Sequence, residues 1–371
     1  MEALKETSLE FRLRSTLEGG GGFPGAILRG ALRPLGLAYG GLMRLRRLAY
    51  ERHLLPTGKA TLPVISVGNL TVGGSGKTPL TAWLAKEFHQ QGLRVGILLR
   101  GYRSLDGWSD EAEFYRQRLP GHPLVEVGAD RLSGSLRAAA AGADILIMDD
   151  GFQHLRLGRD LDIVLVDALS PWGGGVALPG GLLREPRSSL AQADLVVLTR
   201  SDQCLPSSLP YIQEEIHRLA PAAELFLARH RPSCLYRLNG QPQPMEQLKG
   251  RQVIPLCGIA RPESFRQTLI SLGALPLDLM ATGDHRDFPP RLVKAAVKRA
   301  QSQKIPLVIT EKDVMRRNTR QLVDNINKIE NCEVLVLGVE LEITPEDAFR
   351  KKLDQVIQKA NGGSDPGRVD N

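Results

Sequence analysis

The sequence has few cysteines, few aromatics and no long apolar run. Its four cysteines, Cys204, Cys234, Cys257 and Cys332, lie far apart, with no C-x-x-C pair and no histidine at ligand spacing. Disulfide staples and zinc sites need close pairs, so the pattern reads as reduced thiols of a cytosolic protein. No uninterrupted apolar stretch approaches the roughly 20 residues of a spanning helix. The N-terminus mixes acids and bases before any apolar stretch, so no secretory signal is expected. The basic residues lack the interleaved stacking aromatics of nucleic-acid readers, which argues against that class of partner.

What is present is a soluble composition on a chain of 371 residues, long enough for two domains with ordinary cores. The net charge of +7 is unevenly placed. Between Pro24 and Thr61, Arg29, Arg33, Arg44, Arg46, Arg47, Arg52 and Lys59 face the single acid Glu51, with leucines, Ile27, Tyr39 and Tyr50 threaded among them. Such a segment suits the interface of an anionic membrane. It equally suits a helix packed on the protein with its arginines in water. The glycine run Gly19–Gly22 and the tail "NGGSDPGRVDN" read as loose ends.

From Pro63 onward, short apolar runs alternate with amphipathic stretches. "PVISVG", "RVGILL", "DILIMDD", "DIVLVDA", "DLVVLTR", "AELFLARH", "QVIPLCGIA", "PLVITEKD" and "EVLVLGVEL" read as strands covered on both faces, hence a mostly parallel sheet. Helices are expected over about Leu80–Phe88, Arg131–Ala141 and Pro262–Leu272. The pattern is α/β and doubly wound, a class that places ligands at strand carboxyl ends. A Pro-, Gly- and Gln-rich stretch from His230 to Gly250 marks a break between a larger and a smaller domain.

"VGNLTVGGSGKTPL", Val67–Leu80, follows the first of these strands and opens a helix. In that context Thr71, Val72, Gly73, Gly74, Ser75 and Gly76 form a loop whose amides can wrap phosphates. Lys77 can reach the β and γ oxygens and Thr78 can hold Mg²⁺. The strict phosphate-loop pattern puts a glycine where Thr71 stands. "ADILIMDDGFQH" supplies the carboxylates such a site needs, Asp149 and Asp150 at a strand end, with Gln153 and His154 behind them. "LTRSD", Leu198–Asp202, mimics the guanine-reading [NT]-K-x-D motif, with arginine for the lysine that stacks along the base.

Taken together, "VGNLTVGGSGKTP", "LRGYR", "DDGFQHLRLGRDLDIVLVDA", "LPGGLLREP" and "ITEKD" resemble the tetraacyldisaccharide 4'-kinase family, from about Leu35 to Gly338. That family's loop carries threonine where the strict pattern has glycine. The resemblance implies two Rossmann-like α/β/α domains across a cleft, with an N-terminal membrane-associated helix. It implies phosphorylation by ATP and Mg²⁺ of the 4'-hydroxyl of a tetraacyl glucosamine disaccharide 1-phosphate, giving lipid IVA, at the cytoplasmic face of the bacterial inner membrane. The implied division is a flexible start (1–25), the basic helix (26–60), a P-loop kinase domain (61–232), a linker (233–250), a second domain (251–361) and a tail (362–371). By the same resemblance Lys77 and Thr78 bind phosphate and metal, with Asp150 a second metal-side carboxylate. Asp149, Gln153 and His154 line the reaction centre, Arg100 and Arg131 face phosphates, and Arg184 and Glu185 stand at its edge. The base is implied to be Asp110, supported by His285 from the second domain, with domain closure bringing them together. Ser109, where the family has glycine, a short loop from Tyr102 to Asp110, and Arg286, where a second histidine is common, are departures at that base.

Overall fold

The computed structural model describes residues 9–101, 109–284, 286–330 and 332–362. They fall into two compact units, Gly30–Arg229 with Glu342–Asn371, and Met1–Arg29 with His230–Leu341.

The described residues open with α1 (Leu9–Leu17) and α2 (Gly22–Glu51). The expected looseness up to residue 25 therefore does not hold for residues 9–25. Gly19, Gly21 and Gly22 take φ of 118°, 81° and 57°, so the glycine run is a tight turn between helices that side chains would strain. Arg29 closes that turn, donating to the Thr16 and Gly20 carbonyls at 2.6 Å. Glu18 pairs with Arg14 at 3.2 Å and with Arg261 at 2.9 Å. The helix expected over 26–60 stops at Glu51, where His53 turns left-handed (φ 55°) and Leu54 N–H reaches back to the Ala49 carbonyl at 2.8 Å.

In the first unit follow β1 (Val64–Asn69), α3 (Lys77–Gln90), β2 (Val95–Leu99), α4 (Asp110–Arg118), β3 (Leu124–Val127), α5 (Arg131–Ala140), β4 (Ile145–Asp149), β5 (Leu161–Asp167), β6 (Leu195–Thr199), α6 (Ser208–Leu219) and the first half of β7 (Glu224–Arg237). The sheet order is β3-β2-β4-β1-β5-β6-β7, parallel throughout. Every residue of β1, β2, β4, β5 and β6 is buried, which is why these strands read as unbroken apolar runs. The half-buried β3, "LVEV", gives no such signal.

In the second unit come the end of β7, β8 (Pro242–Gln243), β9 (Gln252–Cys257), α7 (Pro262–Ser271), β10 (Leu275–Pro276), β11 (Met280–Ala281), α8 (Pro290–Gln303), β12 (Leu307–Thr310), the single turn α9 (Glu311–Val314), α10 (Arg317–Glu330) and the start of β13 (Val334–Thr344). Its strands run parallel in the order β10-β9-β12-β13, with β11 also beside β9. The 233–250 stretch is structured here: Leu235 pairs with Gln243, and Leu235 and Leu248 are buried in this unit's core. The last helix among the described residues, α11 (Glu346–Gly362), belongs to the first unit, where Phe349 meets Trp83 and Phe226 edge-on at 5.5 and 5.0 Å.

The Gly30–Glu51 part of α2 turns four leucines outward beside Arg33 and Arg44. Leu35, Leu37, Leu42 and Leu45 are 58–66% exposed, while Gly36, Gly40 and Arg47 are buried. A Cβ on Gly36 would collide with the Ala177 carbonyl, so glycine is what lets this helix lie against the 176–186 loop. Among the described residues no helix is long and apolar enough to cross a membrane.

Candidate active site

The site forms where β1 opens into its loop. Gly73 (φ 117°) and Gly76 (φ 99°) adopt backbone that other residues resist, and Gly76 caps α3, whose first residue is Lys77. The first amides of α3 are thereby left pointing out of the helix, an arrangement that favours anions. Thr71 pairs with Leu183 in an antiparallel bridge, an extended setting that asks nothing of glycine. Val72 N–H donates to the Leu182 carbonyl at 2.8 Å and Arg184 N–H to the Leu70 carbonyl at 2.7 Å, so this bridge also delivers Arg184 to the loop. Behind it, Arg187 lies over the Trp172 ring at 5.3 Å, and both side chains donate to Glu215 of α6.

Around Asp150, just beyond β4, three cations converge. Lys77 Nζ lies 3.4 Å from its carboxylate, and Arg184 Nη1 donates to both oxygens at 2.7 and 2.8 Å. Arg131 donates to the Asp150 and Asp149 carbonyls at 3.1 and 2.7 Å. Burial alone would raise the Asp150 carboxyl, but Lys77 and Arg184, with Arg131, hold it well below the ordinary carboxylate range. Its side chain keeps 30% exposure. Asp149 has the opposite setting. Burial pushes its carboxyl up, Tyr115 of α4 donates to Oδ2 at 2.7 Å, and Oδ1 is buried without a hydrogen-bond partner.

Gln153 joins this group, accepting from Arg184 at 3.3 Å and donating to the Asn69 carbonyl at 2.9 Å. His154 is half-buried, and burial together with Arg131, Arg159, Arg156 and Arg46 lowers its pKa to about 4. Arg100 sits exposed after β2, close enough to Arg131 to disfavour its charge. Glu185 turns away from Asp150 towards α2: it is buried against Arg47, which also donates to the Phe152 carbonyl at 3.2 Å. Asp110 opens α4, although its side chain lies outside the described residues, as does His285. The hydroxyl of Ser109, the departure from glycine noted above, caps α4 by accepting from Ala112 N–H at 3.5 Å.

Three participants escape the motif reading. Asn69 Oδ1 accepts from Lys77 Nζ at 3.1 Å while its amide donates to the Thr71 carbonyl at 2.7 Å, so it aims the lysine and shapes the loop entry. Its only sequence signal is a buried polar residue at a strand end. Tyr115 ties the helix of Asp110 to Asp149, and Arg47 ties α2 to Glu185. Neither could be found without the fold.

Among the described residues no cluster of three metal-type side chains occurs. Mg²⁺ does not require one, since it keeps waters and takes one or two carboxylates together with substrate phosphates. The ionised, partly open Asp150 is an oxygen donor of that kind.

A glycine loop between β1 and α3, faced by carboxylates on the adjoining strand, defines an α/β P-loop protein built to hold a phosphate chain. Within that class, the chain belongs to the family described as tetraacyldisaccharide-1-P 4'-kinase, whose sequence profile matches residues 28–358. It is 38% identical to the tetraacyldisaccharide 4'-kinase of Anaeromyxobacter sp. (strain Fw109-5), covering 89% of this chain and 93% of that one. It is 37% identical to that of Pelobacter propionicus, over 78% and 83% of the two chains. It also resembles the crystal structure of LpxK from Aquifex aeolicus in complex with ATP, with a TM-score of 0.67 and 28% identity, over 89% of this chain and 99% of that one.

Proposed function

We propose that this chain transfers the γ-phosphate of ATP to the 4'-hydroxyl of a tetraacyl glucosamine disaccharide 1-phosphate, giving lipid IVA. The observation that carries this is the surplus of positive charge at the loop of a chain in this family: Lys77 and Arg184 pair with the ionised Asp150 carboxylate while Arg131 holds the backbone carbonyl of the same residue. Phosphoryl transfer is mostly positioning and charge stabilisation, and that is what these side chains can do.

In this reading the Gly73–Gly76 amides and Lys77 hold the β and γ phosphates, with Asn69 aiming the lysine. Arg184, Arg131 and Arg100 stabilise charge on the transferred group and on the acceptor's own phosphate. Thr78 and Asp150 would hold Mg²⁺, which supplies charge neutralisation at the phosphates. Asp149 stays with Tyr115 and Arg131 and fixes the end of β4. Asp110 takes the proton of the sugar hydroxyl, supported by His285. Here Tyr115 matters again, because α4 carries Asp110 at its start and is anchored five residues later.

The two units are read as two Rossmann-like domains, and α2 as the membrane-associated helix of a peripheral protein on the cytoplasmic leaflet of the inner membrane. Its outward leucines support that reading over a helix with its arginines in water. A helix facing only water would turn these leucines inward onto the protein, whereas an acylated acceptor requires an enzyme at the bilayer.

The test is transfer of label from γ-labelled ATP, with Mg²⁺, to the tetraacyl disaccharide 1-phosphate in detergent. Label is expected in the lipid, with Lys77→Ala slower by roughly 10³-fold. Clear ATP binding without lipid label would sink the proposal.

A further inference from the structure

We propose that Thr199 and Arg200, with Asp167 as counter-ion, are positioning residues that brace the glycine loop from outside, holding its phosphate-binding shape before any nucleotide arrives. The proposal rests on the ATP reading above for its functional consequence, though not for its geometry.

The brace comes from the ends of β5 and β6. Thr199 is fully buried, and its hydroxyl lies 2.8 Å from the Ser75 carbonyl and 3.3 Å from that of Val166. The shorter contact makes Ser75 the main acceptor. The next residue, Arg200, adopts φ 54°, which is uncommon for a residue with a β-carbon. That turn carries its guanidinium back beneath the loop. Nη2 donates to the Gly74 carbonyl at 2.8 Å, and Nη1 lies 2.9 Å from Asp167 Oδ2. Arg200 and Asp167 are 7% and 4% exposed, so this ion pair is closed to solvent. Asp167 is itself fixed, since Oδ1 accepts from Leu169 N–H at 3.2 Å.

Two successive carbonyls of the loop are thus held from one side. A trans peptide is planar, with its C=O and the following N–H pointing in opposite directions. Holding the Ser75 carbonyl toward β6 therefore turns the Gly76 N–H away from β6. Holding the Gly74 carbonyl does the same for the Ser75 N–H, which here closes a tight turn on the Gly73 carbonyl at 3.0 Å. A loop with glycine at 73, 74 and 76 has much conformational freedom to lose on binding. A brace on its carbonyls removes that freedom in advance, and ligand binding no longer bears the cost. The "LTRSD" sequence thereby acquires a role other than base reading. The arginine that stands for the guanine-stacking lysine is committed to the loop backbone.

The test uses the full chain with three variants, Thr199→Val, Arg200→Met and Arg200→Lys. Thr199→Val keeps shape and burial and removes only the hydroxyl, so it remains informative if Arg200→Met, which strands Asp167, folds poorly. Hydrogen exchange of residues 73–80 in the nucleotide-free protein reads the brace directly. KM for ATP and KM for the lipid acceptor read its consequence. Thr199→Val is expected to speed exchange in that segment alone and to raise KM for ATP about tenfold, the worth of one hydrogen bond, with KM for the lipid within about twofold of wild type. Arg200→Met is expected to do more, and Arg200→Lys to restore part of the loss. Wild-type exchange over 73–80 in Thr199→Val and Arg200→Lys would overturn the proposal, as would equal rises in both KM values. Faster loop exchange in variants of a protein that transfers no phosphate from ATP would uphold the brace and remove the ATP reading instead.

Discussion

Asp150, just beyond β4 in the first unit, and Asp313, just beyond β12 in the second, are each an aspartate beside arginine past the carboxyl end of a parallel strand. Asp313 is wholly buried with Arg316 at 3.2 Å, and its other oxygen takes the Gly258 N–H at 3.0 Å and the Thr310 hydroxyl at 2.5 Å. Arg316 in turn donates to the Gly258 and Arg286 carbonyls. Acid and base match one to one, and the cluster is closed. Asp150 has two cations at its carboxylate and a third, Arg131, at its carbonyl, and it stays open to solvent. What separates a site from a joint is therefore the excess charge and the opening, since both places contain the same chemical groups.

The sharpest test of that contrast sets the two aspartates against each other. Asp313→Ala leaves Arg316 buried without its partner and is expected to cost ~3–5 kcal/mol in denaturant unfolding. Asp150→Asn is expected to slow phosphate transfer by roughly 10²–10³-fold while costing only ~1–2 kcal/mol of stability, because its partners can still meet water. If Asp150→Asn unfolded the protein as readily as Asp313→Ala, the distinction between site and joint would fail.

A smaller effect is expected at Tyr115. Burial, together with the Asp149 charge, keeps its phenol protonated far beyond its usual range, so it acts as a fixed donor. Tyr115→Phe leaves the buried Asp149 carboxylate one donor short and is expected to cost ~1–3 kcal/mol in the same unfolding assay. Because α4 begins at Asp110, transfer should also slow, with KM for ATP changing less than kcat. A variant with wild-type kcat would show that the anchor of α4 does not set the base.

These residues also show what could be read in advance. The nine runs expected as strands all form strands, most of them because burial on both faces leaves an unbroken apolar signature; β7, half-buried along much of its length, is the exception. α3, α5 and α7 start at or close to their expected first residues. The "ITEKD" stretch stood out as a motif, yet its buried acid is a joint of the second unit. Nothing in five letters distinguishes a carboxylate open to ligand from one consumed by Gly258, 55 positions away. Tyr115, Arg47 and Arg200 were illegible as partners for the same reason, since each acts on residues that only the fold brings near, whereas Asn69 acts locally, on Thr71 and Lys77, and only its orientation was hidden. α2 stayed open for a different reason, since periodicity shows that a helix has an apolar face but not which way that face points.

The mildest prediction reads the charge surplus itself. His154 has its pKa lowered to about 4 by burial and by the surrounding arginines. In the folded protein it stays neutral while the unfolded chain takes up a proton near pH 6.5. Its contribution to stability is therefore complete above that pH and is lost as pH falls from about 6.5 through 4. Allowing for its partial exposure, His154→Gln should remove ~1–2 kcal/mol of the pH dependence of unfolding across that interval, measured as the difference from wild type. The same histidine can report on ligand. A phosphate chain seated against Arg131 would cancel part of the field that depresses it, so adding ATP should move the His154 titration upward in an NMR experiment. A titration that ignores ATP would mean that the cations gathered at Asp150 are not there to receive phosphate, and the first cluster would then be a joint like the second.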